Sequence, residues 1–248
     1  MNKNIFPLVK IEFINTFRPV LIKTAFVVSV IYVLFWLKAG PASFEVKDYL
    51  SQYFSVIRFA IILASVFILG REFKNGTYKY TFTGCFSRMS ILFSKIIAIA
   101  GLGFICWLLQ VLIKIIIVLW TGKGTLYNDI FNYELFSTLI IYVAVAALIG
   151  SFSILVTSIS FSLKATMIYT LLLFGIIQFY APIFIIGIEK AENIPFWFEL
   201  IKISPTYIIF DWNDTFKFQI IQLIFMLIYI ILFLGFSILI LKKKDLNK

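Results

Sequence analysis

Six apolar runs, Pro19–Lys38, Leu50–Gly70, Ile91–Trp120, Leu135–Ser160, Ala165–Ile188 and Phe218–Leu241, take up most of this 248-residue chain. A helix rises about 1.5 Å per residue, so roughly 20 apolar residues cross a hydrocarbon layer about 30 Å thick. Every backbone polar group in that layer must be bonded within the protein, which restricts the spanning structures to helices and closed barrels. Runs of this length predict an all-α membrane protein with six transmembrane helices. The composition agrees: 62% of the residues are apolar and only 14% charged, where a soluble domain carries about a quarter charged residues.

Charge sets the expected orientation. The two tails and the second and fourth connections hold twelve basic residues, from Lys3, Lys10 and Arg18 to Lys242, Lys243, Lys244 and Lys248; the other side holds five. Under the positive-inside rule both termini are cytoplasmic, and nine of the twelve acids fall on the outer side. The net charge of +10 is dispersed along membrane flanks, so it reads as topology and no nucleic acid is expected as a partner. No signal peptide is expected: Ala39-Gly40-Pro41-Ala42-Ser43 imitates a cleavage site but reads as the turn after an uncleaved span. With no histidine in the chain, His-based triads and histidine-liganded zinc are excluded. Cys85 and Cys106 fall in a loop and mid-span and form neither an expected disulfide nor a metal-ligand pattern.

Two divisions are expected. Residues 1–18 form an N-terminal cytoplasmic segment, either an interfacial helix with Phe6, Val9, Phe13 and Phe17 toward the membrane and Glu12 and Asn15 opposite, or a frayed tail. Residues 19–248 form the six-span domain. Within it, segment 189–217 carries Trp197, Tyr207 and Trp212 and either lies in the outer interface or dips in as a re-entrant pair. Lys95, early in span three, is expected to snorkel to the cytoplasmic surface. The hydroxyl-rich stretches Gly150–Ser153 and Thr157–Ser160 are expected to pack helices closely. Gln178, Pro182 and Gly187 predict a kink or unwinding in span five.

The connection at 71–95 is the most specific signal. Glu72 closes the second span, Gly76-Thr77 follows, and Ser87-Arg88 leads into a third span containing Lys95. In these positions the chain resembles permease subunits of ABC transporters of the type-2 exporter class. It departs from that pattern at Gly84-Cys85-Phe86, where members often carry a proline. The resemblance implies that Arg71, Glu72, Gly76, Thr77, Ser87 and Arg88 belong to a coupling helix that docks on a separate nucleotide-binding subunit. This chain has no Gly-x4-Gly-Lys-Ser/Thr loop to cradle phosphate, and Thr121-Gly122-Lys123-Gly124-Thr125 fails the spacing. ATP and Mg are therefore expected on a separate ABC ATPase subunit in two copies, with no cofactor and no enzymatic activity on this chain. A second permease chain, identical or related, and membrane lipids complete the expected partners.

Within the spans, Arg58, Gln110, Lys114 and Gln178 are candidates for a translocation path, or for snorkelling to the outer interface, since intramembrane charge is costly and often functional. Among type-2 exporters the chain looks most like phenol-soluble modulin exporters and lantibiotic-immunity permeases. That likeness implies amphipathic or membrane-active peptide cargo and a place in the bacterial cytoplasmic membrane, with lipids, drugs or ions as the alternative cargo. The rival class is a channel or secondary carrier that needs no ATPase; no acid is expected deep in any span, which counts against a proton- or sodium-driven carrier.

Overall fold

The computed structural model describes residues 5–83, 86–122, 133–180, 183, 185 and 196–243, and every regular element among them is helical. In chain order these are α1 (Phe6–Phe17), α2 (Val20–Ala39), α3 (Val46–Lys74), α4 (Tyr78–Thr83), α5 (Arg88–Thr121), α6 (Tyr133–Ser160), α7 (Leu163–Leu171), α8 (Phe196–Lys202), α9 (Pro205–Thr215) and α10 (Ile220–Lys243). Beyond Leu171, α7 passes through a π-helical turn at Leu172–Ile176 and runs on to Tyr180.

Six of these units are long and apolar enough to cross a membrane: α2, α3, α5, α6, α7 with its extension, and α10. The protein is a multi-pass, all-helical membrane protein, as the apolar runs predict. Of the fifth run beyond Tyr180 only residues 183 and 185 are described, so the unwinding expected around Pro182 and Gly187 lies outside the described residues, as does 189–195 of the outer stretch.

Local chemistry sets the helix ends. Glu45 and Asp48 form a reciprocal capping box at the start of α3. Ser87, Ser162 and Ser204 each accept a backbone N–H at the starts of α5, α7 and α9. Such caps satisfy amide groups that a helix N-terminus leaves without partners. Past the end of α3, Gly76 takes a left-handed φ of +71°, a conformation that costs glycine little.

The core is built around α3. In its most apolar window 72% of the residues are buried, against 17% in α2 and 22% in α10. It packs against α2, α5, α6 and α7, whereas α2 and α10 keep apolar faces such as Val27, Ile31, Ile231 and Leu239 uncovered. Such faces suit lipid, which is as apolar as the side chains themselves. Between α5 and α6 the backbones nearly touch: a Cβ on Gly103 would stand 2.6 Å from the Tyr142 carbonyl oxygen. The hydroxyl-rich end of α6 pairs with α7 through Thr157 and Thr166 (2.9 Å) and Ser153 and Thr170 (3.2 Å). That is the packing role expected for those residues.

Candidate functional site

Both ends of the described chain lie at the face of the bundle that carries α4, because Glu12 of α1 reaches the end of α3 and the end of α10 reaches the start of α5. At that face Lys95 is fully buried. Its Nζ donates to Glu12 Oε1 at 2.8 Å, to Glu72 Oε1 at 2.5 Å and to the Ile68 carbonyl at 3.0 Å. An ammonium group has three donors, and here each has an acceptor. This corrects the expectation that Lys95 snorkels to the surface. Two carboxylates and a carbonyl inside the bundle replace the water that snorkelling would have sought.

The ion cluster also fixes α1. Glu12 and Thr16 turn inward and are buried, while Phe6, Ile11 and Ile14 face out. Phe13 lies against Gly101 of α5, 3.0 Å from where a Cβ would stand, and Phe17 meets Phe26 of α2. The polar side of α1 expected to face away from the membrane thus faces the protein at Glu12.

The other residues of the 71–95 connection divide between turn-making and bracing. Gly76 supplies the left-handed turn, and the Thr77 hydroxyl donates to the Glu72 carbonyl at 3.4 Å. Ser87 caps α5, and Arg88 donates to the Leu241 carbonyl in the last turn of α10. That carbonyl belongs to the set a helix C-terminus leaves open, where a cation is also favoured by the helix dipole. Arg71 is half-buried and lines a cleft with α1.

Helix α4 folds back onto the bundle by its rings. Phe73 stacks on Tyr78 with centroids 4.7 Å apart, approaches Phe82 at 6.4 Å, and meets Phe161 edge-on at 4.8 Å. Phe161 sits between α6 and α7 with φ +51°, a strained position for a bulky residue. On its other side α4 is open, and Tyr80 is 82% exposed.

The second polar region lies in the opposite half of the bundle. Arg58, in the middle of α3, is only 4% exposed, its Nε has no hydrogen-bond partner, and no described carboxylate pairs with it. Nearby on α3, the Ser55 hydroxyl accepts from Asn213 of α9 at 3.4 Å, and Phe59 packs against Gly175 in the π-helical turn. Gln178 donates to the Thr206 carbonyl at 3.0 Å but leaves Oε1 without a partner. Gln110, Tyr142 and Asn213 each hold a buried oxygen in the same state. On α5, Gln110 stands one turn beyond Cys106, whose carbonyl accepts from the Tyr53 hydroxyl at 3.1 Å. Lys114 is half-buried and has a partner of its own.

Sequence reasoning selected Arg58, Gln110 and Gln178 by charge and polarity but missed Glu12, Tyr142, Asn213 and the pair Phe73 and Phe161. Glu12 and Lys95 are 83 positions apart, and no local spacing connects them. Among the described residues no three of His, Cys, Asp or Glu gather as a metal site. No family model matches the chain, and no curated protein matches it.

Proposed function

We propose that this chain is the permease subunit of an ATP-driven exporter of the type-2 ABC class, with α4 as its docking element and both termini on the cytoplasmic side. The observation that carries the reading is the mounting of α4. It is exposed through Tyr80 on one side and fixed to the bundle on the other by Phe73, which touches both α4 and the α6–α7 junction at Phe161. A partner that pushes on α4 therefore acts on two pairs of helices through one aromatic residue. The paired Lys95 keeps the ends of α1, α3 and α5 together as the push arrives. Rigid-body tilting of packed helices is an established way to convert closure of one subunit into opening of another.

The energy source on this reading is a separate ATPase in two copies, which binds ATP and Mg. Two permease chains, identical or related, enclose the path. Arg58, Gln110, Lys114 and Gln178 are the proposed path residues, and amphipathic or membrane-active peptides the proposed cargo in a bacterial cytoplasmic membrane. Buried oxygens and the Arg58 Nε, all without hydrogen-bond partners, support this, because such groups are costly unless a ligand or water meets them. Lipids, drugs or ions are the alternative cargo.

Tyr80→Ala tests the docking role, since the side chain supports nothing inside the bundle. Export should fall roughly tenfold or more, the order of a hot-spot loss of about 2 kcal/mol, while thermal stability in detergent stays unchanged. Full export by Tyr80→Ala and by Tyr80→Glu would remove α4 as the docking element.

A further inference from the structure

A cleft of about 290 Å³ opens between the second half of α1 and the last turns of α3. Its polar rim includes Arg18, Arg71, Asn15, Asn75 and Thr77; Ala64 and Phe67 line it further along α3. Arg71 directly follows the apolar run that ends at Gly70, and Arg18 directly precedes the run that begins at Pro19. Both guanidinium groups therefore stand at the depth of lipid headgroups. Phe67, partly exposed, lies four residues before Arg71, roughly 6 Å deeper along the helix axis. The cleft thus changes from cationic to apolar over the distance from a phosphate to the start of its acyl chain.

Neither arginine has an ion-pair partner among the described residues; both ion pairs there belong to Lys95. Glu12 and Glu72 also line the cleft; Lys95 offsets one of their two charges, so with both arginines the cleft keeps a net positive charge. A bare phosphate ion would meet the two guanidinium groups but leave the partly exposed ring of Phe67 uncovered.

We infer that this cleft binds the headgroup of an anionic phospholipid such as phosphatidylglycerol. Arg18 and Arg71 hold the phosphodiester, with the planar fork of arginine suited to two phosphate oxygens at once. Asn15, Asn75 and Thr77 offer further polar contacts, and an acyl chain starts along Phe67. Bound there, the lipid joins α1 to the end of α3 beside the Lys95 cluster. This site does not depend on the transport reading and stands or falls separately from it.

Native mass spectrometry of the full chain in an uncharged detergent tests it, because the general attraction of basic residues to an anionic leaflet is then absent. The probes are dioleoylphosphatidylglycerol, dioleoylphosphatidylcholine and inorganic phosphate. The chain should retain the glycerol lipid roughly tenfold over the choline lipid. Arg18→Gln and Arg71→Gln should each abolish most of that preference, and Arg71→Lys should keep part of it. Lys10→Gln, an exposed position outside the cleft, should change it by less than about twofold. Arg18 is exposed at the end of α1, so Arg18→Gln gives the answer even if substitution at Arg71 disturbs folding. Equal retention of both lipids, or unchanged preference in Arg18→Gln, would overturn the site. An equal loss in Lys10→Gln would reduce it to surface charge, and displacement by millimolar inorganic phosphate would make it a free-anion site.

Discussion

The two halves of the bundle treat a buried cation in opposite ways. At the α4 face Lys95 is enclosed with two carboxylates and a carbonyl, and all three of its donors are used. In the opposite half Arg58 is almost as deeply buried, yet its Nε is unpartnered and oxygens on Gln110, Tyr142, Gln178 and Asn213 are unmatched. A paired ion cluster holds helices in one arrangement. Unmatched donors and acceptors raise the energy of the closed arrangement and so favour one in which water or a ligand reaches them. On the proposed reading, the first half transmits movement as a unit and the second opens.

Substitutions that neutralise one charge at a time sharpen this contrast. The largest effect is expected for Lys95→Met. It strands Glu12 and Glu72 in the interior, and breaking a buried pair costs about 3–5 kcal/mol. Thermal unfolding in detergent should reveal this loss, and adding Glu12→Gln and Glu72→Gln to the same chain should restore most of it. A triple variant as unstable as the single one would show that Lys95 acts through packing rather than charge.

Arg88→Met should have a smaller effect, about 1.5–3 kcal/mol for one charge-assisted hydrogen bond. The Leu241 carbonyl then loses its donor and the end of α10 separates from the start of α5. Hydrogen exchange should rise in the last turn of α10 and leave α6 unaffected; a uniform rise would point to global unfolding instead.

Arg58→Met is expected to change stability least, by less than about 1 kcal/mol, or to raise it, since replacing a buried charge by a hydrophobe is often neutral or stabilising. Export should nevertheless fall. Loss of stability on the scale of Lys95→Met would break the comparison, because it would mean that Arg58 is also an internal brace.

The spans were legible because each is a long run of apolar residues whose signal accumulates along one helix. Run and helix agree closely for Leu135–Ser160, which ends with α6 at Ser160. The caps were legible in part: Ser87 before Arg88 reads as a helix start from sequence alone. Lys95 was misplaced because snorkelling considers a side chain and its own helix, whereas its partners come from α1 and α3. The inward turn of Glu12 was hidden for the same reason, since α1 alternates apolar and polar residues too loosely for its own pattern to choose a face. The π-helical turn at Leu172–Ile176 contains no proline to announce it. It becomes intelligible only with Phe59 of α3 seen against Gly175.

The depth of Arg58 could be counted from Arg71 along one helix, but its direction could not. Whether it faces lipid or the interior depends on the helices packed around α3, most of which are far away in the chain. The aromatic contact between Phe73 and Phe161 was likewise unreadable, because it joins the last turn of α3 to the α6–α7 junction 88 positions away.

The most direct test of the account is photo-crosslinking from position 80 in cells, with a benzophenone amino acid in place of Tyr80 and a second chain carrying it at Leu232, a lipid-facing residue of α10. The account predicts that position 80 captures a polypeptide with a Gly-x4-Gly-Lys-Ser/Thr nucleotide loop, and that position 232 does not. Absence of any such polypeptide at position 80, together with transport that persists after ATP depletion, would contradict an ATP-driven permease and favour a channel or carrier.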